Sequence, residues 1–598
     1  MTNAASYPPA LESILSLLRS NQDERKLAGL LLVTKVIVGQ DWSVEILSLL
    51  ADAVGSTFLR RLLRSTDNEG VYVDLAINVI SALITSPDVA KRFARDGLCT
   101  DIMAVQKGPL TSDLLATYTS FINAGDLTPF SLMSSIWQND NQRDLMKSVV
   151  NSWIRPEYAQ QILFSKRDNI MAVLGEDLKS RQDLRKFEAL ELIVSILSQL
   201  HPFSDLPVDA YDCLGNGGIG SWSTAIRDGL VQILSSRVNA QQRRLALLAS
   251  WFLLDLFGYS WASTGEPINA RFPTLLITTV AVESRLLLEY YAEHPTINED
   301  IETLRACFVI ANIAIMFLVE DDATFDQCKR NSEFHWSLLP PDSLMLIHSR
   351  LSETIRTLFD FLVECESQQR YRDPIMPHIC RVLGTWVSED SESFQSDLET
   401  SCAFLVKVCQ ESKDPFNPFV YLVPAFARLS INLQGAERLV ESGLLDQLSR
   451  LISLISERVG DSVALMAGDV CHILINIIEC IPSITSEPAL QKIMPYLPSI
   501  FDNLWSSREN LVPCLQTVCV LLAVGCDSLT PSVIDRDAED IWPKVASLLF
   551  DYTVDDQDLQ DLRRVTMKHL TSCMPRFRML SDALRSSDSV PESIQKLP

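Results

Sequence analysis

The 598-residue sequence predicts an all-α protein, an α-solenoid in which short helices stack as repeats. Three observations lead to this prediction. Residues 27–38 are apolar on almost every side, glycine is scarce at 21 residues, and a pattern of short helix, glycine and longer Leu-rich helix recurs. Scarce glycine argues against an all-β chain, and a chain of this length exceeds what one compact core can hold.

The first helices follow from the apolar spacing near the N-terminus. Apolar residues recur there at i, i+3, i+4 and i+7, and this spacing predicts one buried helical face, formed by Leu11, Ile14, Leu15 and Leu18. The next helix, over residues 27–38, is apolar except at Thr34 and Lys35, so we expect other helices to cover both of its sides. Further along, Ser86 followed by Pro87 predicts an N-cap and the first position of a short helix.

A repeated arrangement of helices is visible at two places in the chain. In residues 82–103 and 428–449, a short helix leads through Gly97 or Gly443 into a Leu-rich helix. A shorter copy around Gly229 repeats the Arg-Asp-Gly-Leu of residues 95–98. In each copy we expect the glycine to end a helix in the left-handed conformation. The pattern is typical of armadillo and HEAT repeats of roughly 40–47 residues. Several unrelated helical domains are the alternative.

Irregular segments predict how the array is divided. We expect N-terminal helical repeats over residues 1–200, a hinge over 201–221, C-terminal repeats over 222–582 and a disordered tail over 583–598. Two apolar runs, 245–262 and 306–319, resemble membrane spans. The first is interrupted by Asp255 and the second is shorter than a bilayer requires, so both are interpreted as buried solenoid helices with no transmembrane span.

The formal net charge of -25 bears on the class of partner. Such a surface repels phosphate backbones, so nucleic acid is not an expected partner. It is expected to steer partner proteins or basic peptide segments towards an acidic groove. The alternative is that the charge only keeps the surface well solvated. Cysteines in the apolar runs 471–480 and 514–526 are interpreted as reduced core residues. With no secretory signal at the N-terminus, they predict a cytosolic protein.

A glycine-rich loop is the nearest approach to a cofactor motif. Gly215, Gly217 and Gly220 spell G-x-G-x-x-G, but a dinucleotide site needs this loop between a strand and a helix. No β-branched strand precedes it. Asp209 and Asp212 stand there instead and would repel a pyrophosphate. We therefore interpret the spacing as chance and predict no cofactor.

Metal-binding and catalytic motifs are weak as well. Neither the adjacent Cys471 and His472 nor the pair His378 and Cys380 has a second pair at zinc-ligand spacing. Asp255, among apolar neighbours, is a candidate for a raised pKa. The chain contains none of the standard hydrolase, kinase or metalloprotease motifs. We predict no metal site and no enzymatic activity, with an enzyme that has a nonstandard site as an alternative.

Two segments are candidate contact sites on the surface. One is a basic helical side formed at i, i+1 and i+4 by Arg60, Arg61 and Arg64. These arginines either bind acidic lipid headgroups or a phosphorylated partner, or they pair with acidic residues of a neighbouring repeat. The other is the acidic segment 388–401, predicted to be exposed. Phosphopeptide mapping tests whether it is phosphorylated at Ser388, Ser391, Ser393 and Ser396.

An importin-like mode of binding basic signals would require a ladder of W-x-x-x-N motifs on successive helices. Only Trp137 with Asn141 fits that spacing, so the ladder is absent from this sequence. Any groove in this chain is expected to recognise its ligand differently.

Two sequence blocks near the N-terminus carry a resemblance to a known family. They are Leu-Leu-Leu-Val-Thr-Lys at 30–35 and Asp-Ala-Val-Gly-x-Thr-Phe at 52–58, followed by Arg-Leu-Leu at 61–63. Over residues 25–63 the chain resembles the neurochondrin family. It looks like a divergent member, because Phe-Leu-Arg at 58–60 replaces the family's usual Phe-Pro-Asn. The resemblance implies an armadillo-like, mainly cytosolic protein without known catalysis. The family is linked in animals to neurite outgrowth, receptor signalling and regulation of a calmodulin-dependent kinase.

Together these observations predict a non-enzymatic cytosolic scaffold or adaptor that binds partner proteins on a helical-repeat surface and acts as a signalling regulator. The first alternative is a peripheral membrane-associated regulator that docks through the three arginines or an apolar helix. The second is the enzyme with a nonstandard site.

Overall fold

A computed structural model describes most of the chain as helices. The described residues are 9–37, 43–65, 70–98, 170–201, 221–263, 270–294, 298–330, 339–390, 392–414, 417–458, 461–505, 510–526, 539–550 and 557–586, with a few positions between 101 and 163. Within these ranges every regular element is helical and there is no strand, so the predicted all-α class is confirmed. The chain divides into two units, residues 1–275 and 276–598. The predicted hinge at 201–221 lies almost wholly outside the described residues, as does the tail beyond 586.

The first unit begins with short helices and continues, after residue 170, with longer ones. They are α1 (Pro9–Leu18), α2 (Asp23–Ile37), α3 (Val44–Val54), α4 (Ser56–Leu63), α5 (Val71–Leu83), α6 (Pro87–Arg95), α7 (Ile170–Ser180), α8 (Leu184–Leu200), α9 (Ser221–Leu234), α10 (Ala240–Phe257) and α11 (Ser260–Ser263). Helix α6 begins at Pro87, as predicted. Helix α5 packs against α2, α3 and α4, while α7 packs against α8 and α9.

Helix α2 is less buried than its composition predicts. Leu30 and Val33 are almost fully buried, but the side chains of Leu31 and Leu32 are 53% and 39% exposed. The prediction that helices cover both sides of this segment is therefore wrong for the described residues. The physical reason is that α2 packs mainly on α1 and α5, which together cover one face only.

Gly229 has a different role from the one that its sequence context predicts. It lies inside α9 and not at a helix end, so its prediction as a left-handed terminator is wrong. A Cβ at this position would lie 2.6 Å from Cγ and 2.9 Å from the backbone oxygen of Leu178 in α7. On α7, a Cβ at Gly175 would lie 2.9 Å from the backbone oxygen of Trp222. The two glycines allow α7 and α9 to approach each other closely.

The second unit contains the longest helices of the described chain. They are α12 (Arg271–Glu293), whose first residues belong to the first unit, α13 (Asn298–Arg330), α14 (Pro341–Ser367), α15 (Met376–Glu389), α16 (Gln395–Glu411), α17 (Phe419–Ser430), α18 (Leu433–Glu441), α19 (Leu444–Ser456), α20 (Asp461–Cys480), a 3₁₀ helix (Pro482–Ser486), α21 (Pro488–Gln491), α22 (Leu497–Trp505), α23 (Leu511–Cys526), α24 (Trp542–Phe550), α25 (Gln557–Cys573) and α26 (Arg578–Ser586).

The helices of the second unit form two layers. In one layer, α13, α15, α17, α20, α23 and α25 each pack on the next. In the other, α14 packs on α16, α16 on α18 and α19, and α19 on α21 and α22. Contacts such as α14 with α15, α19 with α20 and α22 with α23 join the layers. This order, in which each helix contacts its neighbours along the stack, is the arrangement of armadillo and HEAT-like repeats.

Left-handed glycines end short helices where the repeated pattern predicts them. Gly443 has φ +85° and separates α18 from α19, and Gly97 has φ +80° after α6. This conformation is strained for residues with a Cβ, which explains the glycine in both copies. The predicted sequence of short helix, glycine and Leu-rich helix is confirmed around Gly443.

One described helical segment, Asp300–Glu320 in α13, is long and apolar enough to cross a membrane. However, 61% of its most apolar window is buried inside the protein. Phe308, Ile310 and Ala314 are at most 1% exposed. This degree of burial is typical of a helix in a protein core.

Candidate functional site

A groove in the second unit lies between α12 and α14 and has a volume of about 870 Å³, within the range of ligand-binding clefts. We call it the acidic groove. Its lining residues are Arg285, Leu288, Glu289, Ala292 and Glu293 from α12, Glu353, Arg356, Thr357, Asp360, Phe361 and Glu364 from α14, and Gln368.

The helical periodicity of α14 determines which side chains line the groove. Glu353, Thr357, Asp360 and Glu364 stand at i, i+4, i+7 and i+11, which places them along one face of the helix. The opposite face carries the apolar residues Leu351, Ile355, Leu358 and Leu362, which are at most 1% exposed. Burial of the apolar face therefore holds a row of carboxylates towards α12.

The acidic groove carries excess negative charge. Five carboxylates and two guanidinium groups line it, an excess of three negative charges. Arg350, which is outside the lining, pairs with Glu353 at 2.7 Å and reduces this excess to two. The Arg285 Nε atom donates to Glu289 Oε1 at 3.0 Å. This hydrogen bond, and then the charges of Glu289, Glu353 and Asp360, raise the pKa of Arg285. The groove thus stabilises a guanidinium cation that belongs to the chain itself.

Arg370 contacts both helices that form the walls of the groove. Its guanidinium lies over the rings of Tyr291 from α12 and Phe361 from α14, with the central carbon 4.9 and 5.6 Å from their centroids. It donates through Nε to Asp373 Oδ2 at 3.1 Å and through Nη1 to the Ala292 carbonyl at 3.5 Å.

The Tyr291 hydroxyl completes this cluster by donating to Asp373 Oδ1 at 3.0 Å. Burial, and then the neighbouring Asp373 carboxylate, raise the pKa of Tyr291 to about 12, so the phenol stays a donor at neutral pH. The Ile375 amide also donates to Asp373, at 3.1 Å. The two wall helices are therefore connected through Tyr291, Arg370 and Asp373, which are not part of the lining of the groove.

The three arginines of the predicted basic side all have carboxylate partners. Arg60 and Arg64 share Asp101, whose side chain is only 5% exposed, and the Arg64 Nη2 atom lies 2.6 Å from Asp101 Oδ1. Arg61 Nη2 lies 2.7 Å from Asp23 Oδ1. The side chains of Arg61 and Arg64 nevertheless remain 61% and 62% exposed, so binding to acidic lipid or to a phosphorylated partner stays a prediction.

The Ser-rich acidic segment 388–401 is partly helical, with its first residues in α15 and its last in α16. Ser388 lies in α15, where its hydroxyl donates to the Thr385 carbonyl at 2.8 Å. Ser393 and Ser396 are exposed, the latter in the first turn of α16, and Ser391 lies outside the described residues. Ser388 is exposed as well, whereas Phe394, Leu398 and Ser401 are buried, so the segment 388–401 is exposed only in part. The reason is that α16 begins at Gln395 and buries one of its faces. Phosphorylation of the segment stays a prediction.

Two further side chains that the sequence analysis singled out are Asp255 and Trp137. Asp255 is exposed on α10, and its Oδ2 atom lies 2.8 Å from Nε2 of His201. Its environment is therefore not the apolar one that the sequence indicates. Trp137 is 1% exposed, and its indole donates to Asp177 at 2.8 Å. Trp137 is therefore a buried side chain and presents no surface for a ligand. Its predicted companion Asn141 lies outside the described residues, as does the glycine-rich motif at 215–220.

The described cysteines are mostly free and buried. Nine are free thiols, among them Cys471, Cys514 and Cys519, and burial raises the pKa of each of these three to about 12. Cys573 differs because it is disulfide-bonded. In the part of the chain that the structure describes, no group of three or more His, Cys, Asp or Glu side chains is arranged to hold a metal ion.

The net charge of the sequence predicts an acidic groove but does not identify the residues that line it. The available signal was the row of carboxylates from Glu353 to Glu364 at helical spacing on α14. The other wall comes from Glu289 and Glu293, which stand about 60 residues earlier. Only the packing of the helices brings the two rows together.

Comparison with known proteins extends the similarity beyond the N-terminal blocks. The family model described as Neurochondrin matches residues 5–94 and 145–526. Neurochondrins of Homo sapiens and Bos taurus are each 22% identical to the chain, over 100% of it and 89% of their own length. A neurochondrin homolog of Drosophila melanogaster is 21% identical, over 68% of the chain and 57% of its own length.

Among solved structures, the chain is similar to one from work on a phosphorylation switch in the interaction between cadherin and beta-catenin, with a TM-score of 0.40, 11% identity and 94% coverage of both chains. It is also similar to SYS-1, with a TM-score of 0.36, 11% identity and coverage of 97% of this chain and 88% of that one. At such TM-scores the fold assignment rests on the helices and their packing.

Proposed function

Since the chain belongs to the neurochondrin family, we propose that it is a non-enzymatic scaffold that holds Lys- and Arg-rich segments of partner proteins in the acidic groove. The family matches over most of the chain, so the N-terminal resemblance is confirmed and the chain is a divergent member.

The observation that carries the proposal is the excess of carboxylates in the groove. Two walls from separate helices converge on one cleft, and its lining contains three more carboxylates than guanidinium groups. A Lys or Arg side chain entering the cleft would meet carboxylates from both walls, as Arg285 already does. Charge complementarity of this kind steers association and favours basic partners over acidic ones.

The experiment uses a fluorescent Lys- and Arg-rich peptide and measures its affinity for the full chain by fluorescence anisotropy. The test variant replaces three groove carboxylates by isosteric amides, Glu353→Gln, Asp360→Asn and Glu364→Gln. A charge pair about 6 Å apart contributes roughly 0.7 kcal/mol in bulk water. We therefore expect the triple variant to bind about 30-fold more weakly at low ionic strength, and the difference to shrink as salt is added.

A matched control separates the groove from the overall net charge of -25. The substitutions Glu437→Gln, Glu441→Gln and Asp446→Asn remove the same charges from exposed positions on α18 and α19. We expect this variant to bind the peptide nearly as well as the unmodified chain. Equal losses in the two triple variants, or no loss in either, would contradict a specific role for the groove.

A cytosolic setting is part of the same proposal. It is supported by the predominance of free thiols, because thiols remain reduced in the cytosol. Nine described cysteines are free and Cys573 is disulfide-bonded. Fractionation of cells that produce the tagged chain tests this setting, and recovery mainly with membranes would contradict it.

A further inference from the structure

An exposed apolar stripe runs along α12 beside the acidic groove. Val282, Leu286 and Tyr290 follow one another at four-residue spacing, and their side chains are 51%, 53% and 46% exposed. At 1.5 Å per residue the stripe is about 12 Å long. The Tyr290 ring stacks on His294 with centroids 4.6 Å apart, which holds the ring in place. Large apolar side chains grouped on a surface often mark an interaction site.

The stripe and the groove lie on adjacent sectors of the same helix. Successive residues of a helix are about 100° apart, so Leu286 is offset by that angle from Arg285 in the groove. Glu289 and Glu293, which line the groove, lie at angles between those of Arg285 and Tyr290. The carboxylates of Glu289 and Glu293 therefore border the C-terminal end of the apolar stripe, beside Tyr290.

The geometry points to a basic amphipathic helix as the occupant of this surface, with Lys or Arg side chains in the acidic groove and large apolar side chains on the stripe. This inference rests on the proposed function of the groove, because the excess of carboxylates is what requires the cations. It adds a second requirement, which a peptide with charge alone does not meet.

The angle between the two surfaces favours a helical ligand. Side chains on an extended strand alternate between opposite directions, so they cannot meet two adjacent sectors of one convex helix. Side chains on a helix can point about 100° apart and meet both sectors together. Glu289 and Glu293 are also one helical turn apart, which matches cations at i and i+4 of a ligand helix.

The experiment compares two peptides of identical composition and net charge. In the first, Lys residues at i and i+4 lie beside a Leu face, and in the second the Leu residues are moved to the opposite side. We expect the first peptide to bind the full chain at least about fivefold more tightly than the second. Equal affinities would overturn the inference.

A matched pair of protein variants tests the stripe itself. Leu286→Ser removes one exposed leucine from the stripe, and Leu465→Ser removes an exposed leucine from α20. Both positions are on the surface, and circular dichroism checks that both variants are folded. We expect only Leu286→Ser to lose the preference for the first peptide, by at least about fivefold, while the second peptide binds unchanged.

The outcomes separate this inference from the proposed function. If Leu286→Ser keeps the full preference while neutralisation of Glu353, Asp360 and Glu364 weakens both peptides, the groove binds basic segments and the stripe plays no part. If neutralisation changes neither peptide, the proposed function itself fails.

Discussion

The close approach of α15 and α17 predicts that a substitution of Gly384 by alanine lowers the stability of the chain. Gly384 lies inside α15, and a Cβ added there would stand 1.6 Å from the backbone oxygen of Tyr421 in α17 and 2.7 Å from its carbonyl carbon. No rotation of a side chain relieves this overlap, because both atoms belong to the backbone. In Gly384→Ala, the two helices must therefore move apart, or one of them must distort locally.

Two effects of opposite sign set the size of the change. Alanine favours a helix interior over glycine by about 1 kcal/mol, which would stabilise the chain. Overpacking a dense interface typically costs about 1–3 kcal/mol and sometimes more. An overlap with backbone atoms lies at the upper end of that range, since residues such as Leu383 and Leu422 are fully buried along the same contact. We expect a net destabilisation of roughly 1–2 kcal/mol.

Thermal unfolding and hydrogen exchange measured by mass spectrometry test this prediction. Gly384→Ala should unfold at lower temperature, and α15 and α17 should lose protection more than the helices of the first unit. Gly258→Ala is the comparison variant, because a Cβ there meets nothing within 4 Å but the backbone, with φ +73° and ψ 174°, is strained for alanine. We expect it to destabilise the end of α10 in the first unit and to leave the protection of α15 and α17 unchanged. A higher unfolding temperature for Gly384→Ala would refute the reasoning, because it would mean that helix propensity outweighs the overlap.

Two further predictions concern charge. Arg285→Ala should tighten binding of the basic peptide by roughly threefold at low salt, because it removes a like charge from the groove. The control Arg450→Ala, an exposed change on α19, should leave the affinity unchanged in the same anisotropy assay. Weaker peptide binding by Arg285→Ala would contradict the assignment of the acidic groove as the binding site. Burial, followed by the charges of Arg305 and Arg381, lowers the pKa of His378 to about 4. The unfolded state therefore takes up the proton first, and the free energy of unfolding should fall by at most about 3 kcal/mol as pH decreases from about 6.5 to 4. Urea unfolding should show a smaller fall for His378→Asn, and an identical fall would exclude His378 as its source.

The sequence predicts the helical class and the turn at Gly443 because both depend on local physics. Helical periodicity and a left-handed glycine are set within a few residues. Gly229 shows the limit of such reasoning, because the same Arg-Asp-Gly-Leu letters occur inside α9, where the glycine meets Leu178 of another helix. A glycine required by a turn and one required by a helix contact look alike until the partner is known.

The candidate site was less accessible from the sequence for the same reason. The prediction singled out Arg60 and Arg64 by their local clustering, but it could not identify Asp101 as the carboxylate that both arginines bind. The acidic groove instead depends on two helices with α13 between them in the chain. Net charge indicates that carboxylates are in excess, and only tertiary packing decides where they meet.

The Arg370 cluster has a consequence for how binding specificity could diversify. Arg370, Tyr291 and Asp373 fix the separation of the two walls without contributing a carboxylate to the lining of the groove. The charges that face solvent come from other positions on α12 and α14. The separation of the walls and the charge of the groove are thus set by different residues. Substitutions in the lining would change which basic residues are accepted while the width of the cleft stays the same, and substitutions in the Arg370 cluster would change the width while the charge stays the same.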